Sequence, residues 1–336
     1  MNKKKLLAIL LSGAMALSLA ACGSDTSNDT TTDTSGDGAA TAGNYTVGIC
    51  QQMQHAALDE ATQGFQDKLT ELVTAAGGTV EFDPQNASGE SSNAATIING
   101  FVSSGVDLIM ANGTTSLQAA QAGTTDIPIL GTSITDYATA LQMENWSGTS
   151  GTNISGTTDL APLEDQAQML LDLFPDAQNV GLLYCSAEPN SVYQVNIVRE
   201  YLEGQGLTCT DYTFSDSNDL ASVTQTACAS SDVIYIPTDN TAASCTETIG
   251  SIVRSAKTPV VGGEQGICVG CGIATLSISY YDLGYKTGEM AAQILKGEAD
   301  ISQMPIEYAN ASKLYNADMC QELGITVPEG YTALEG

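Results

Sequence analysis

Six short loops hold the residues of this 336-residue chain whose types could do chemistry. They are Gln51-Gln52-Met53-Gln54-His55, Asn112-Gly113-Thr114-Thr115-Ser116, Thr132-Ser133-Ile134-Thr135-Asp136, Ser186-Ala187-Glu188-Pro189-Asn190-Ser191, Thr238-Asp239-Asn240 and Gly263-Glu264-Gln265-Gly266. Part of that polarity is what helix starts demand, because Ser, Thr, Asp and Asn cap them. Capping leaves Gln51, Gln54, Glu188 and Glu264 unexplained, since these are not preferred cap types. The loops carry Asp136, Glu188, Asp239 and Glu264 but no Lys or Arg. They can hold an ammonium, and any carboxylate must go to helix N-terminal amides and hydroxyls. That pattern suits a zwitterion and disfavours a phosphate or polyanion.

Catalysis is poorly provided for. His55 is the sole histidine and is read as capping or packing at the first helix start rather than moving protons. Neither a Gly-x-Ser-x-Gly elbow nor a Gly-Lys-Ser/Thr phosphate loop occurs. Cys268 and Cys271 form a CxxC in a Gly-rich stretch, which could be a redox pair or half a metal site. A metal would need further ligands, and with no second CxxC neither metal nor cofactor is expected. Cys50 and Cys185 each end an apolar strand, where a thiol behaves as a small buried hydrophobe.

Parallel strands are needed to bring such loops together. Strand-like runs fall at 45–50, 79–82, 107–111, 128–131, 180–185, 208–214, 233–237, 259–262 and 273–278, with helical stretches at 57–75, 94–103, 163–173, 191–205, 242–255 and 281–295. Strand and helix alternating at this spacing predict an α/β fold, a parallel sheet covered on both faces. Such sheets bind ligands at the carboxyl ends of their strands, where the six loops lie. About 290 residues are enough for two lobes.

Four stretches carry a resemblance: VGICQQMQHAALDEATQGF (47–65), LLYCSAEPNSVYQ (182–194), DVIYIPTDNT (232–241) and LSISYYDLGYKTGEMAAQILKGE (276–298). Over 45–328 the chain resembles ABC-transporter substrate-binding lipoproteins of the tryptophan/tyrosine type. The resemblance implies a type I periplasmic-binding-protein fold, two doubly wound parallel-sheet lobes joined by three crossovers. Lobe 1 is expected at 44–156 with 275–308, and lobe 2 at 157–274 with 309–336. An ABC permease and ATPase are the implied partners, and the ligand is an amino acid, aromatic by the family's type. Its ammonium is expected at Asp239 or Glu188 and its carboxylate near Thr114, Thr115 and Ser133. Asn190, Ser191 and Asn240 would orient it from lobe 2, with Gln51, Gln54, Thr238 and Glu264 around it and Tyr280 or Met53 as an apolar wall. The rival readings are a sugar or nucleoside receptor of the same fold and a sensor or adhesin lipoprotein without a transporter. Trp146, the only tryptophan, sits in a Gly- and Ser-rich stretch before the first crossover and reads as packing or hinge rather than a sugar platform.

Charge excludes another class. Three of the ten basic residues, Lys3 to Lys5, lie in an acid-free leader, which leaves seven against 39 acidic residues. The seven are scattered singly, so nucleic acid is not a partner. The leader's apolar stretch 6–21 is short for a membrane span and ends in Leu19-Ala20-Ala21 before Cys22, which resembles the lipobox of bacterial lipoproteins. The expected arrangement is a signal peptide over 1–21, a diacylated Cys22 and a tether over 22–43 built from Gly, Ser, Thr, Asp, Asn and Ala. Membrane contact through this lipid places the protein on the extracytoplasmic face of the cell membrane. Cys22→Ala is expected to release the protein from the membrane fraction with ligand binding intact. Wild-type fractionation of the variant would contradict the lipidation.

Overall fold

The computed structural model of the protein describes residues 43–327 and 329–334. The leader, Cys22 and the tether up to residue 42 lie outside the described residues. The chain begins with β1 (Asn44–Gln51), α1 (Ala56–Ala75), β2 (Thr79–Asn86), α2 (Ser91–Ser104), β3 (Leu108–Asn112), α3 (Thr114–Gly123), β4 (Ile129–Ile134), α4 (Tyr137–Leu141) and β5 (Ile154–Thr158). A second series follows: α5 (Leu163–Leu173), β6 (Asn179–Cys185), α6 (Pro189–Gly204), β7 (Thr208–Phe214), α7 (Ser217–Ser230), β8 (Val233–Ile236), α8 (Asn240–Ser244), α9 (Thr246–Ala256), β9 (Val260–Gly262), α10 (Gln265–Gly270) and β10 (Ala274–Ser277). After α11 (Tyr280–Leu295) and β11 (Glu307–Tyr308), the chain ends in β12 (Ser312–Tyr315), α12 (Ala317–Leu323) and β13 (Thr332–Ala333).

Two sheets result. The first has the order β11-β5-β4-β3-β1-β2 and the second β13-β12-β10-β9-β8-β6-β7. Every pair is parallel except β12, which runs antiparallel to β10. β3 and β4 are buried throughout, as strands covered on both faces must be. The chain passes between the sheets at 159–162, 278–279 and 309–311, the three crossovers of a type I periplasmic-binding-protein fold.

Differences from the sequence expectation have local causes. β5, with the sequence ISGTT, is too short and polar to be seen as a strand, yet it is almost wholly buried. Its hydroxyls are satisfied instead: Ser155 donates to the Met304 carbonyl, and Thr157 meets Thr132 at 3.1 Å and Thr287 at 2.8 Å. The return to the first lobe, expected at 275, comes after Ser277, because β10 pairs with β9 and β12 in the second sheet. The stretch 242–255 is two helices, broken at Cys245. Trp146 stacks on Tyr137 with 6.1 Å between ring centroids, half-buried against the core of the first lobe.

α1 and α11 bind the first lobe to the second crossover. On α1, Leu58, Ala61, Phe65 and Leu69 recur at helical spacing and are buried, each large one worth about 1.5–3 kcal/mol on burial. Gly64 and Gly284 let the backbones touch: a Cβ at Gly284 would stand 1.9 Å from the Ala61 carbonyl oxygen, and one at Gly64 would stand 2.1 Å from that of Tyr281. Gly284→Ala must push the helices apart and is expected to cost about 1–3 kcal/mol. Urea unfolding measures it, and an unchanged midpoint would contradict the backbone contact.

Candidate functional site

The carboxyl ends of the two sheets face each other, and their loops meet. In the second lobe Glu188, just before α6, is 5% exposed and has no cation partner among the described residues. Its Oε1 accepts the backbone N–H of Thr241 at 2.8 Å and the Thr241 hydroxyl at 2.7 Å. Its Oε2 accepts the backbone N–H of Asn240 at 3.0 Å and the Asn240 side-chain amide at 2.7 Å. Glu188 therefore caps α8 from a distance. Asp239 caps the same helix through Ala242 N–H and also accepts from Cys185 N–H and the Ser191 hydroxyl. Burial, and after it the Glu188 charge, pushes the Asp239 carboxyl up to about 8 against those three donors.

The same use extends to the other acidic loops. Glu264 bends back to accept the N–H groups of Gly266 at 2.6 Å and Ile267 at 2.5 Å, capping α10. Asp136 accepts from Thr139 N–H and caps α4. Capping thus accounts for Glu188 and Glu264 after all, because an extended backbone lets the longer side chain fold onto amides of its own or a neighbouring helix. Buried without cations, Asp239 and Glu188 have their oxygens filled from within the second lobe, which leaves neither as a ready place for an ammonium.

The lobes meet through the other end of the Glu188 system. Asn240 gives its amide hydrogens to Glu188, so its Oδ1 is free to accept, and His55 Nε2 lies 3.1 Å from it. His55 occupies the N-cap position of α1 but makes no cap bond. Its ring reaches the opposite lobe. Burial lowers its pKa, against the Asn240 bond and the Glu188 and Asp59 charges. A second bridge joins Gln194 Nε2 to the Thr135 hydroxyl at 3.5 Å.

Two cavities flank the His55 contact. The smaller, about 390 Å³, is walled by Ala56, Ala57, Ala243, Val269 and Tyr280, with Gln54, His55, Glu60, Thr246 and Glu264 among its polar groups. The larger, about 580 Å³, is lined by Gln52, Met53, Thr115, Cys185, Glu188 and Thr241 together with Ser88, Ser91, Ser92, Ser215 and Ser217. Neither contains Lys or Arg.

The expected site residues divide accordingly. Gln54, Glu264 and Tyr280 line the smaller cavity, Thr115 and Glu188 the larger. Gln51 is committed inside the first lobe, donating to Asp59 and Met53 and accepting from Thr62. Thr114 begins α3, and the Thr115 N–H is taken by Gln52 Oε1 at 2.9 Å, so the amides expected to receive a carboxylate there are partly occupied. Thr238 N–H goes to Gln194 Oε1 and Ser191 to Asp239. Ser133 Oγ and Asn190 Oδ1, on opposite lobes, are buried without partners among the described residues. Ser133 also holds φ at +56°, a strained conformation for a side-chain-bearing residue.

Sequence reasoning missed Glu60, Gln52, Gln194 and Asp159. Asp159 lies in the first crossover, just past the unseen β5, and accepts from the Tyr280 and Thr135 hydroxyls. Glu60 lies one turn inside α1 and has no hydrogen-bond or ion-pair partner among the described residues. Its signal was present in His55-Ala56-Ala57-Leu58-Asp59-Glu60, where i to i+4 spacing brings it level with the helix start. Cys268 and Cys271 are buried at the end of α10, and Cys271 Sγ donates to the Ile267 carbonyl at 3.3 Å. Burial pushes both thiols up, against the low pKa a reactive pair needs.

Two parallel-sheet lobes on three crossovers, with an acid-lined cleft between them, have the architecture of a bilobed binding protein. Residues 46–334 match the family model described as ABC transporter substrate binding protein, and the chain belongs to that family. It is a substrate-binding protein and not an enzyme. It is 30% identical over 311 residues, 91% of this chain and 88% of the relative, to a tyrosine-binding protein of Clostridioides difficile strain R20291. Among solved structures it resembles an L-Trp complex of an ABC domain from Streptococcus pneumonia, at 32% identity over 86% of this chain and all of that one, TM-score 0.79. A ligand-free, open substrate-binding protein with adhesive properties from Clostridium difficile matches at the same 32% identity over 87% of this chain and 99% of that one, with a TM-score of 0.65.

Glu264 gives a pH prediction. Burial raises its carboxyl to about 7, against the Gly266 and Ile267 amides and with the Asp159 and Glu60 charges adding, whereas the unfolded value is about 4.3. Between those values the folded chain holds a proton that the unfolded chain has lost. This stabilisation is complete below about pH 4.3 and gone above about pH 7. Relative to Glu264→Gln, wild type should lose stability as the pH rises from about 5 to about 7.5. Urea midpoints that run parallel for the two proteins would contradict it.

Proposed function

We propose that the protein is the lipid-anchored extracytoplasmic receptor of an ABC importer, and that it captures an aromatic amino acid in the smaller cavity. One observation carries the ligand reading. The smaller cavity has no Lys or Arg and two carboxylates: Glu264 is taken up in capping α10, whereas Glu60 has no partner among the described residues. A ligand ammonium is the natural partner for Glu60.

The rest of the cavity suits the rest of such a ligand. Ala56 and Ala57 begin a 20-residue helix with no side-chain cap, so its first N–H groups are available to a carboxylate beside Gln54. Tyr280, Val269 and Ala243 supply an apolar wall for a ring. The ammonium thus moves from Asp239 or Glu188 to Glu60, and the carboxylate from the start of α3 to that of α1. Relatives that bind tyrosine and L-Trp agree with this ligand class. At equal identity, the better match to the complex than to the open form supports reading this structure as the closed arrangement. The lipobox-like run before Cys22 supports the anchor, and the family supports a permease and ATPase as partners.

A thermal-shift screen of the twenty amino acids with common sugars and nucleosides tests the ligand class, because binding to the folded state alone raises the melting temperature. Tyrosine or tryptophan should give the largest shift; a sugar giving the largest shift would overturn the reading. Glu60 lies at the cavity mouth, partly screened by water, so Glu60→Gln should cost about 1–2 kcal/mol, a five- to thirtyfold loss of affinity, with the ligand-free melting temperature unchanged. Wild-type affinity in calorimetry would contradict its assignment.

A further inference from the structure

The His55 contact does more than touch the lobes together. His55 lines the smaller cavity and Glu188 the larger, while Asn240 stands between them bonded to both. The chain His55–Asn240–Glu188 is a wall across the cleft. We infer that His55 sets the ligand's length: its ring closes the passage between the two chambers, so that a free amino acid is accepted and a peptide beginning with the same residue is refused.

The inference rests on the amino-acid reading, and the polarity of that ligand gives it direction. With its ammonium at Glu60 and its carboxylate at the uncapped start of α1, the ligand's carboxyl end points at His55, the residue directly before Ala56. A peptide bond would extend the ligand from that end. The second residue would have to pass the imidazole into the larger chamber, where hydroxyls of Ser88, Ser91, Ser215 and Ser217 could receive its polar backbone. About 390 Å³ on one side and about 580 Å³ on the other show that space exists beyond the wall. Size selection by an obstacle raises discrimination without needing tighter contacts to the preferred ligand.

The wall is held by hydrogen bonds on both sides of Asn240. Glu188 takes the Asn240 amide hydrogens, which turns the Asn240 oxygen to His55 and requires the imidazole proton on Nε2. Burial favours the neutral imidazole, and the Asn240 oxygen as acceptor assigns its proton to Nε2. Gln at position 55 could present an N–H donor at a similar distance, whereas Ala leaves the passage open.

Calorimetry on the full extracytoplasmic chain, with L-tyrosine, L-tryptophan and the dipeptides Tyr-Ala and Trp-Ala, tests the inference. Wild type should prefer the free amino acid by about 100-fold or more, His55→Ala should reduce that ratio below about tenfold, and His55→Gln should restore it. A folded His55→Ala protein that keeps the wild-type ratio, or a wild type that takes dipeptides as tightly as free amino acids, would overturn it. Nitrogen-15 NMR of the single imidazole reads the wall without any ligand: an Nε2–H tautomer whose signal shifts in Asn240→Ala is expected. An Nδ1–H tautomer, or no shift, would overturn the wall itself. The expected NMR signature with no amino acid bound by wild type would instead overturn the amino-acid reading on which the length selection rests.

Discussion

The Glu188 carboxylate organises the mouth of the second lobe. A buried carboxylate without a cation is costly unless donors replace the water it has lost. Here four hydrogen bonds come from two consecutive residues, the backbone N–H and side chain of Asn240 and of Thr241. They tie the start of α6 to the start of α8 and leave the Asn240 oxygen pointing across the cleft. The interlobe contact to His55 follows from this arrangement.

Its electrostatic consequence is selective. Asp239, Glu264 and Asp136 repeat part of the device, each accepting from at least one amide at a short helix start, with the second Asp239 oxygen taken by Cys185 N–H and the Ser191 hydroxyl. Burial holds Asp239 and Glu264 substantially protonated near neutral pH, and hydrogen bonds from within the protein fill their acceptor positions and those of Glu188. Glu60, on the opposite lobe, has no partner among the described residues. A cationic group then has one carboxylate to bind in the smaller cavity, which favours a single orientation of a zwitterion. The uncapped start of α1 lies within one turn of Glu60, a spacing that suits the short distance between the ammonium and carboxylate of one amino acid.

Much of the fold was legible because parallel strands buried on both faces must be apolar throughout. LIMAN at β3 and VIYI at β8 admit few other readings. β5 was not legible, since ISGTT becomes core only when hydroxyls from β4 and α11 reach Thr157. The site was legible as a set of loops but not as a set of roles. That Glu264 caps its own helix depends on a bent side chain. That His55 faces Asn240 depends on two loops 185 positions apart meeting across the cleft. Glu60 stood in a helix where an acidic residue is ordinary, and what singles it out is that Glu264, the other carboxylate of its cavity, is occupied by amides.

On this reading the ligand's cation meets Glu60, the carboxylate left free in the smaller cavity, beside the His55–Asn240 contact. A crystal structure of the complex with L-tyrosine or L-tryptophan tests this most directly. The account predicts the ammonium at about 2.7–2.9 Å from a Glu60 oxygen, the ring against Tyr280 and the His55–Asn240 bond intact. An ammonium seated on Glu188 or Asp239 with their amide partners displaced, or a ligand lying in the larger chamber, would contradict it.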